Sequence, residues 1–301
     1  MRATARAIKP KPKDVGDPGR AGESRSGQGT TSEAHRHDEA VRRQFDQDAG
    51  QWHAYYSSDT VDGRVYKARL EAVLEWVDGC GAQGGRALDV GCGAGELVVE
   101  LAARSWLVDA CDVSDEMLAI VRDRRLSRLR LHNADVYALP FEDGAFDLVT
   151  ALGVVPWLHS PRRGLSEIVR VTRPGGAVIV TADNRRRLTH MLDPRRTPLL
   201  SFVRRPLRPL RRRRHGSAGL HRQHDLRQFL TLLADTGLEV LSARTVGFGP
   251  FTLMGRPIVP ERAGISLNAR LQTLADRRVP TLRTGGAHLL VFARKPEHPP
   301  S

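Results

Sequence analysis

The sequence has few cysteines and no long apolar run. Its 301 residues include only Cys80, Cys92 and Cys111, too few for a disulfide framework and without the Cys-x-x-Cys spacing of a metal site. No stretch of about 18 consecutive apolar residues occurs, so the pattern predicts no spanning helix. Hydrophobic residues still make up 40% of the chain, enough for a real core. We therefore expect a soluble protein of the reducing cytosol, cytoplasmic or peripheral to a membrane, with no metal site.

Acidic residues are scarce relative to basic ones. The chain has 34 Asp and Glu against 47 Lys and Arg, a net charge of +13. Residues 185–214 hold twelve Arg and a single acid, Asp193, so this block carries +11 and the rest of the chain is nearly neutral. Such a block suits an anionic membrane surface, nucleic acid or an acidic substrate, and a solvated loop is a further alternative.

Composition and periodicity divide the chain into segments. Residues 1–36 are rich in Gly, Ser, Pro and charge, and they are predicted to be disordered because they offer too little apolar surface to offset the entropy of ordering. Pro10 and Pro12 interrupt the amphipathic helix of a transit peptide, so no targeting signal is expected. The predicted segments are a disordered basic and polar tail (1–36), a helical cap (37–77), a core (78–183), an Arg-rich insertion (184–224), the C-terminal part of the same domain (225–296) and a tail (297–301).

Short apolar strands alternate with helical segments from residue 86 onward. This alternation predicts a parallel sheet with right-handed crossovers. The predicted strands are 86–90, 107–112, 129–133, 146–152, 177–182, 238–245 and 288–294. The predicted helices are 95–104, 115–122, 163–172, 225–235 and about 267–276, and a turn at Pro174 is expected to stop the third of them.

The first of these strands runs into a glycine-rich turn. Gly91, Gly93 and Gly95 alternate with other residues between the strand and the next helix. Glycine permits a tight turn there and lets a ligand touch the main chain. A dinucleotide site requires Gly-x-Gly-x-x-Gly, whereas position 96 is Glu, so the spacing argues against a nicotinamide dehydrogenase. A tight connection without a ligand is the other interpretation.

Two acids follow the next two strands. Asp112 ends the second strand, where a carboxylate can accept hydrogen bonds from both hydroxyls of a ribose. Asp135 comes just after the third strand, where it could accept a hydrogen bond from an adenine amino group, although Asp is also common in turns. The glycine turn and the two acids share one sheet edge, and together they favour a nucleotide-like ligand more strongly than each alone.

Four segments carry a family resemblance. They are LDVGCGAGEL at 88–97, DVSDEML at 112–118, NADVYALPFEDGAFDLVTAL at 133–152 and EIVRVTRPGGAVIV at 167–180. Over residues 45–183 the chain resembles the class I S-adenosylmethionine-dependent methyltransferases, particularly the small-molecule group that includes quinone-biosynthesis enzymes. The resemblance implies an α/β, Rossmann-like fold with helices on both faces of a seven-stranded, mostly parallel sheet whose last strand is antiparallel.

The resemblance also implies S-adenosylmethionine as cofactor, bound by the core at 78–183, with acceptor-pocket elements in 225–296. Asp112 would then hold the ribose, and Asp135 with Val136 the adenine. Leu152 and Gly153 would lie beside the methyl group. The residues implied around the methionine part are Asp89, Gly91, Gly93 and Gly95.

Candidates for a catalytic base are weaker. His159 lies in the loop after the fourth strand, where acceptors often bind in this family, but relatives carry His at the positions held here by Pro156 and Trp157, so a polar loop residue is the alternative. His221 and His224 are interpreted as a surface pair that lacks a third partner for a metal site. Other candidates for the acceptor pocket are Tyr55 and the segment 248–254, and ordinary core packing would explain either equally well.

These observations predict in-line methyl transfer from S-adenosylmethionine to a small-molecule or lipid-like acceptor. The Arg-rich block would bring the enzyme to an anionic membrane surface. An RNA methyltransferase that uses this block is a second hypothesis, less favoured because the block has only Phe202 for base stacking. A noncatalytic protein that binds S-adenosylmethionine or a membrane is the third.

Overall fold

A computed structural model describes residues 25–80, 84–192, 220–253 and 256–298. Most of the predicted Arg-rich insertion, residues 193–219, lies outside the described residues. So do Met254 and the outer parts of both predicted tails, 1–24 and 299–301.

Seven strands form one sheet. They are β1 (Arg86–Val90), β2 (Leu107–Asp112), β3 (Leu129–Asn133), β4 (Phe146–Ala151), β5 (Thr172–Asp183), β6 (Glu239–Val246) and β9 (His288–Arg294), and a separate hairpin joins β7 (Thr252–Leu253) to β8 (Arg256–Pro257). The order in the sheet is β3-β2-β1-β4-β5-β9-β6. The first five strands pair in parallel, and β9 runs antiparallel to both of its neighbours. This arrangement confirms the predicted sheet and its antiparallel last strand.

Helices precede, connect and follow the strands. They are α1 (Arg25–Ser57), α2 (Val61–Gly79), α3 (Glu96–Ala103), α4 (Asp115–Asp123), α5 (Pro161–Val171), α6 (Leu188–Leu192), α7 (Leu226–Ala234) and α8 (Glu261–Asp276), with a short 3₁₀ helix at Val155–Trp157. Within α1, His35 Nε2 lies 3.3 Å from Glu39 Oε1 one turn later, a side-chain pair of the kind that supports a helix.

Several boundaries differ from the sequence expectations, since β5 begins at Thr172 and α8 at Glu261, both earlier than predicted. Residues 25–36, predicted to belong to the disordered tail, are helical. The turn at Pro174 does not stop α5, because the helix ends at Val171 and β5 begins at once with Thr172. Thr172 already pairs with Phe146 of β4, so sheet pairing ends the helix before the proline is reached.

The core lies in two layers, one on each face of the sheet. Alternate strand residues point to opposite faces, so Leu88 packs in one layer and Ala87 in the other. Helices α5 and α7 cover the first face, while α2, α3 and α4 cover the second. Within the described residues, no helix combines the length and apolarity needed to cross a bilayer.

Because both faces are covered, the carboxyl edge of the parallel strands is left to form a site. Strand β1 lies between β2 and β4, so the strand order reverses there and opens a crevice. The antiparallel β9 also contributes to this edge, because its first residue, His288, pairs with Asp183 at the end of β5.

Candidate functional site

A pocket lies at this edge, between the sheet and helices α1 and α2. Its lining falls into two parts. The glycine end consists of Gly91, Gly93, Asp112, Asp135 and Val136, which follow or end strands β1, β2 and β3. The histidine end consists of Tyr66, Arg69, Asp183, His221 and His288, which come from α2, β5, β9 and the segment before α7.

The glycine turn owes its shape to backbone hydrogen bonds and left-handed φ angles. The amides of Gly91 and Cys92 both donate to the Cys111 carbonyl, at 2.8 and 3.0 Å. Gly91 has φ +64°, and a Cβ there would lie 2.4 Å from Val154 Cγ2. Gly93 has φ +53°, but a Cβ there would meet no described heavy atom within 4 Å. Gly91 is therefore required by packing, whereas Gly93 keeps open space over its backbone.

Gly95 has a different role from its neighbours, because it does not belong to the pocket lining. It is the residue before α3, with φ +83°, and a Cβ there would lie 2.8 Å from Val121 Cγ2. Gly95 therefore packs between the turn and α4, and its place beside the cofactor stays a prediction.

Asp112 ties the glycine turn to the start of α4. Its Oδ2 accepts a hydrogen bond from the Gly93 amide and its Oδ1 one from the Ser114 amide, both at 2.9 Å. Burial raises the pKa of Asp112, and these two amide donors oppose that rise. Asp135 also lines the pocket and accepts a hydrogen bond from the Tyr137 amide at 3.0 Å. Both carboxylates therefore have fixed positions at the glycine end.

Asp89 is buried at the base of the glycine end. Thr150 Oγ1 donates a hydrogen bond to Asp89 Oδ1 at 2.7 Å. Burial raises the pKa of Asp89 to about 7, the Thr150 hydrogen bond opposes the rise, and the nearby Asp112 adds to it. A small change in its surroundings can therefore change the charge of Asp89 near neutral pH.

Leu152 and Gly153 follow β4 and line the pocket between its two ends. The Gly153 amide donates to Thr181 Oγ1 at 2.7 Å, which links the loop after β4 to β5. This link holds the backbone of the loop at the centre of the pocket.

At the histidine end, Asp183 accepts hydrogen bonds from two imidazoles. His221 Nε2 lies 2.9 Å from its Oδ2, and His288 Nδ1 lies 3.2 Å from its Oδ1. Burial alone would raise the pKa of Asp183, but the two histidines hold it well below its usual value. Asp183 is therefore a carboxylate over the whole physiological range.

Arg69 brings a buried positive charge to the pocket. Its side chain is only 6% exposed, and its Nη2 donates to the Tyr56 hydroxyl. The guanidinium carbon lies 5.0 Å from the centroid of the Tyr66 ring. Arg69 Nε is buried without a hydrogen-bond partner among the described residues. An unpaired buried donor is costly, so Arg69 is held in place at a free-energy cost.

Aromatic side chains of α1 cover the pocket. The rings of Phe45 and Trp157 meet edge to face, with centroids 5.0 Å apart, and Trp52 meets Tyr66 in the same way at 5.6 Å. Both α1 residues line the pocket. These rings therefore give the pocket an apolar cover on the α1 side.

The structure places the three candidate histidines differently from the sequence prediction. His159 does not line the pocket, and its Nδ1 lies 2.8 Å from Asp38 Oδ1 on α1. His37, Asp38 and His159 form a group whose possible metal-binding atoms lie within 4.8 Å of one another. This group joins α1 to the loop after β4. His221 and His224 do not form the expected surface pair, since His221 lines the pocket while His224 packs against Phe229.

The two other acceptor-pocket candidates lie outside the lining. The Tyr55 ring contacts the rings of Trp52 and Tyr66, which do line the pocket. The next residue, Tyr56, also lines it. In the segment 248–254, Phe248 is buried and its amide donates to Asn268 of α8, so the described part of this segment packs against other elements.

Sequence reasoning missed Tyr66, Arg69, Asp183 and His288. They are far apart in the chain, and none of them belongs to a spaced motif. One signal was available for two of them, because an antiparallel last strand beside β5 brings the end of β5 and the start of β9 together.

Comparison with known proteins identifies the segment that forms the glycine end. The profile of a family described as "Methyltransferase domain" matches residues 88–180. Residues 88–180 are a methyltransferase domain. This domain runs from β1 into β5 and contains the glycine turn, Asp112 and Asp135.

Relatives with known names match the same region. Demethylmenaquinone methyltransferase of Corynebacterium glutamicum (strain R) is 40% identical over 117 residues, which are 39% of this chain and 47% of that protein. Ubiquinone biosynthesis O-methyltransferase of Azoarcus sp. (strain BH72) is 27% identical over 190 residues, which are 60% of this chain and 75% of that protein. The chain covers less than half the length of the demethylmenaquinone methyltransferases that it matches.

A solved structure extends the comparison beyond the methyltransferase domain. Magnesium protoporphyrin IX methyltransferase of Synechocystis PCC 6803, crystallised with bound SAH, superposes with a TM-score of 0.57 at 15% identity. The match covers 86% of this chain and 99% of that one. The fold is therefore that of the class I methyltransferases.

Proposed function

We propose that this protein transfers the methyl group of S-adenosylmethionine to a small-molecule or lipid-like organic acceptor. The observation that carries the proposal is the pocket itself, which joins a glycine end suited to a nucleoside with a histidine end lined by polar and aromatic side chains. The names of the relatives, which include methyltransferases of quinone biosynthesis, support this class of acceptor.

The glycine end fits the nucleoside part of the cofactor. Asp112 stands at the end of β2, where a carboxylate can accept hydrogen bonds from both ribose hydroxyls. Asp135 and Val136 would hold the adenine, the former as a hydrogen-bond acceptor and the latter as an apolar contact. The open space over Gly93 allows a ligand to approach the backbone.

The methionine part would lie between Asp89 and Arg69. The pKa of Asp89 is near 7, so an ammonium group beside it would favour the carboxylate form. The unpaired Nε of Arg69 would donate to the methionine carboxylate. In this arrangement Gly91 shapes the turn, and Gly95 acts only through packing.

When bound, S-adenosylmethionine supplies a methyl group already activated by its sulfonium. The protein then has to orient an acceptor and exclude water. Leu152 and Gly153 lie between the two ends, so they are placed to border the reacting groups. Phe45 and Trp52 cover the pocket and limit access of water. Orientation of this kind can supply about 7 to 11 kcal/mol of the barrier.

Binding and transfer assays test the proposal together. Purified protein should bind S-adenosylmethionine, and labelled methyl should pass into a lipid or small-molecule extract and not into total RNA. Asp112→Ala should weaken cofactor binding about 100-fold or more, because it removes a charged acceptor for two hydrogen bonds worth about 1.5 kcal/mol or more each. Asp123→Ala, at the exposed end of α4, is the matched control and should leave binding unchanged.

Other outcomes would lead to the other hypotheses. Label in RNA would indicate an RNA methyltransferase that uses the arginines. Binding without transfer to any extract would indicate a noncatalytic protein that binds S-adenosylmethionine. Absence of cofactor binding, or unchanged binding in Asp112→Ala, would contradict the proposal itself.

The arginines of 185–214 are proposed to bring the protein to an anionic membrane surface. This block carries a net charge of +11, and each Lys or Arg near the headgroups contributes about 1 kcal/mol. Leu220, just beyond residues 193–219, precedes the pocket residue His221, so a lipid-bound acceptor would be delivered near the histidine end. Vesicles with anionic lipid should bind the protein and neutral vesicles should not, and deletion of 197–214 should abolish this binding while cofactor affinity stays the same.

A further inference from the structure

We propose that His221, oriented by Asp183, is the general base that removes a proton from a hydroxyl group of the acceptor, and that this acceptor is a phenol or hydroquinone. The inference rests on the proposed function and adds to it a base and a substrate class.

The position of His221 is fixed from both sides. The amide of the next residue, Arg222, donates to the Pro156 carbonyl at 2.6 Å, and the His224 amide donates to the Asp183 carbonyl at 2.9 Å. The His221 ring meets the Trp157 ring edge to face, with centroids 4.9 Å apart. The imidazole is therefore held against the pocket by backbone and ring contacts that do not depend on a ligand.

The hydrogen bond to Asp183 determines which ring nitrogen is free. Asp183 is a carboxylate and can only accept, so His221 Nε2 carries the proton that it donates across 2.9 Å. Nδ1 of the neutral ring is then an acceptor with a lone pair. No described residue forms a hydrogen bond with Nδ1, and the side chain, 23% exposed, lines the pocket. A carboxylate on one nitrogen and an unpaired second nitrogen, on a side chain that lines the pocket, make the arrangement of an oriented base.

His288 also contacts Asp183, but it is less suited to proton transfer. Its side chain is 9% exposed, and its ring packs against Tyr66 with centroids 5.6 Å apart. Burial lowers the pKa of His288, so it stays neutral and positions Asp183 through its hydrogen bond. His288 is thus a positioning residue in this scheme.

Several charged and titratable groups face the His221–Asp183 pair. Asp183 carries the charge in direct hydrogen-bond contact with His221. Arg69 and His288 interact with Asp183, Tyr66 lies near the same carboxylate, and His224 lies near His221 on the same segment. A general base acts in its unprotonated form, so His221→Gln should change the pH profile of kcat as well as its size.

The proposed step balances with the cofactor as methyl donor. The acceptor O–H gives its proton to His221 Nδ1, and the oxygen electron pair forms a bond to the methyl carbon. The bond between that carbon and sulfur breaks, and its electron pair stays on sulfur, which leaves a neutral thioether. The proton on His221 then passes to water when the product leaves.

A base in this position helps to choose among acceptors. A carboxylic acid is already ionised near neutral pH and needs no base, whereas a phenol has a pKa near 10 and does. The walls near His221 include the rings of Trp157 and Tyr66, with Phe45 and Trp52 above them. A flat aromatic hydroxyl compound fits such walls through ring contacts.

The first test compares His221→Gln with the wild type. Gln keeps a donor for Asp183 but cannot take a proton, so kcat should fall about 100-fold or more, while affinity for S-adenosylmethionine stays within twofold. The probes are labelled S-adenosylmethionine with 1,4-naphthohydroquinone, kept reduced, and with decanoate as a carboxylate. Only the hydroquinone should be methylated. Added imidazole should restore part of the activity of His221→Ala, and the exposed His35→Gln should behave as wild type.

A second readout does not depend on turnover. Nitrogen NMR of the free wild-type protein should show His221 in the Nε2–H tautomer, and Asp183→Asn should change this tautomer. An Nδ1–H tautomer in the wild type would overturn the proposal. So would an active wild type whose His221→Gln variant keeps kcat within threefold and the same pH profile.

The two proposals can fail separately. If the wild type binds the cofactor and methylates decanoate, or neither probe, the acceptor class is wrong and the cofactor site stands. If the wild type does not bind S-adenosylmethionine at all, the proposed function fails and this inference fails with it.

Discussion

The two ends of the pocket are built in different ways. At the glycine end the groups that line the pocket are already engaged, since Asp112 accepts two amide hydrogen bonds and Asp135 a third. At the histidine end, Arg69 Nε and His221 Nδ1 have no hydrogen-bond partner among the described residues. The side chains of the glycine end are held in place by the protein's own hydrogen bonds. The histidine end, in contrast, keeps a donor and an acceptor that can form hydrogen bonds with a ligand. Variants at the two ends should therefore differ in what they change.

The largest effect is expected from Arg69→Met. Arg69 lies at the histidine end but is proposed to hold the carboxylate of the cofactor. The variant should weaken binding of S-adenosylmethionine about 100-fold, because it removes a hydrogen bond between two charged groups, worth up to about 3 kcal/mol. Arg64→Met, on the exposed side of the same helix, is the control. Calorimetric binding would measure both. Equal affinity in the two variants would show that Arg69 does not bind the cofactor. Arg69 would then be assigned to the acceptor, like the other residues of the histidine end.

Two alanine substitutions at the glycine end should have different effects. Gly91→Ala places a Cβ against Val154 at a position with φ +64°, so it should lower the free energy of unfolding by about 2 kcal/mol or more. Gly93→Ala meets no described atom, so it should cost only about 1 kcal/mol of backbone strain but weaken cofactor binding about tenfold, since its methyl group enters the pocket.

Denaturant unfolding and cofactor titration would measure these two variants. Adding Val154→Ala to Gly91→Ala should recover part of the lost stability by removing the clash. If Gly91→Ala proved as stable as wild type, the turn would be more adaptable than its contacts indicate.

This contrast also explains how far the sequence could lead. The glycine end follows the carboxyl ends of three successive strands within residues 88–136, so strand prediction and motif spacing were enough to bring its residues together. Arg69, Asp183, His221 and His288 meet only because α2 packs on the sheet and β9 inserts beside β5. Their convergence depends on topology and register, so His221 looked like a surface residue and His159 like the stronger base.

A pH effect should distinguish the ends further. Burial raises the pKa of Asp89 to about 7, and the proposed ammonium partner needs the ionised form. Binding should follow the ionised fraction of Asp89, because below pH 7 the cofactor must first displace the proton of this carboxyl group. This fraction is about tenfold smaller at pH 6 than at pH 8, so affinity should be about tenfold weaker at pH 6. Asp89→Asn should bind more weakly at pH 8 and show no such dependence. A wild type with flat affinity across this range would place the ammonium elsewhere.

The smallest effect is expected at His159, the base that the sequence favoured. His159 does not line the pocket, and its hydrogen bond to Asp38, which does, joins α1 to the loop after β4. His159→Ala should therefore lower the free energy of unfolding by about 1 kcal/mol, the usual value of one such bond, and change kcat less than twofold. His159→Asn, which keeps a donor near the position of Nδ1, should recover much of the stability. A 100-fold loss of kcat in His159→Ala, with His221→Gln still active, would reverse the roles of the two histidines and move the acceptor toward α1.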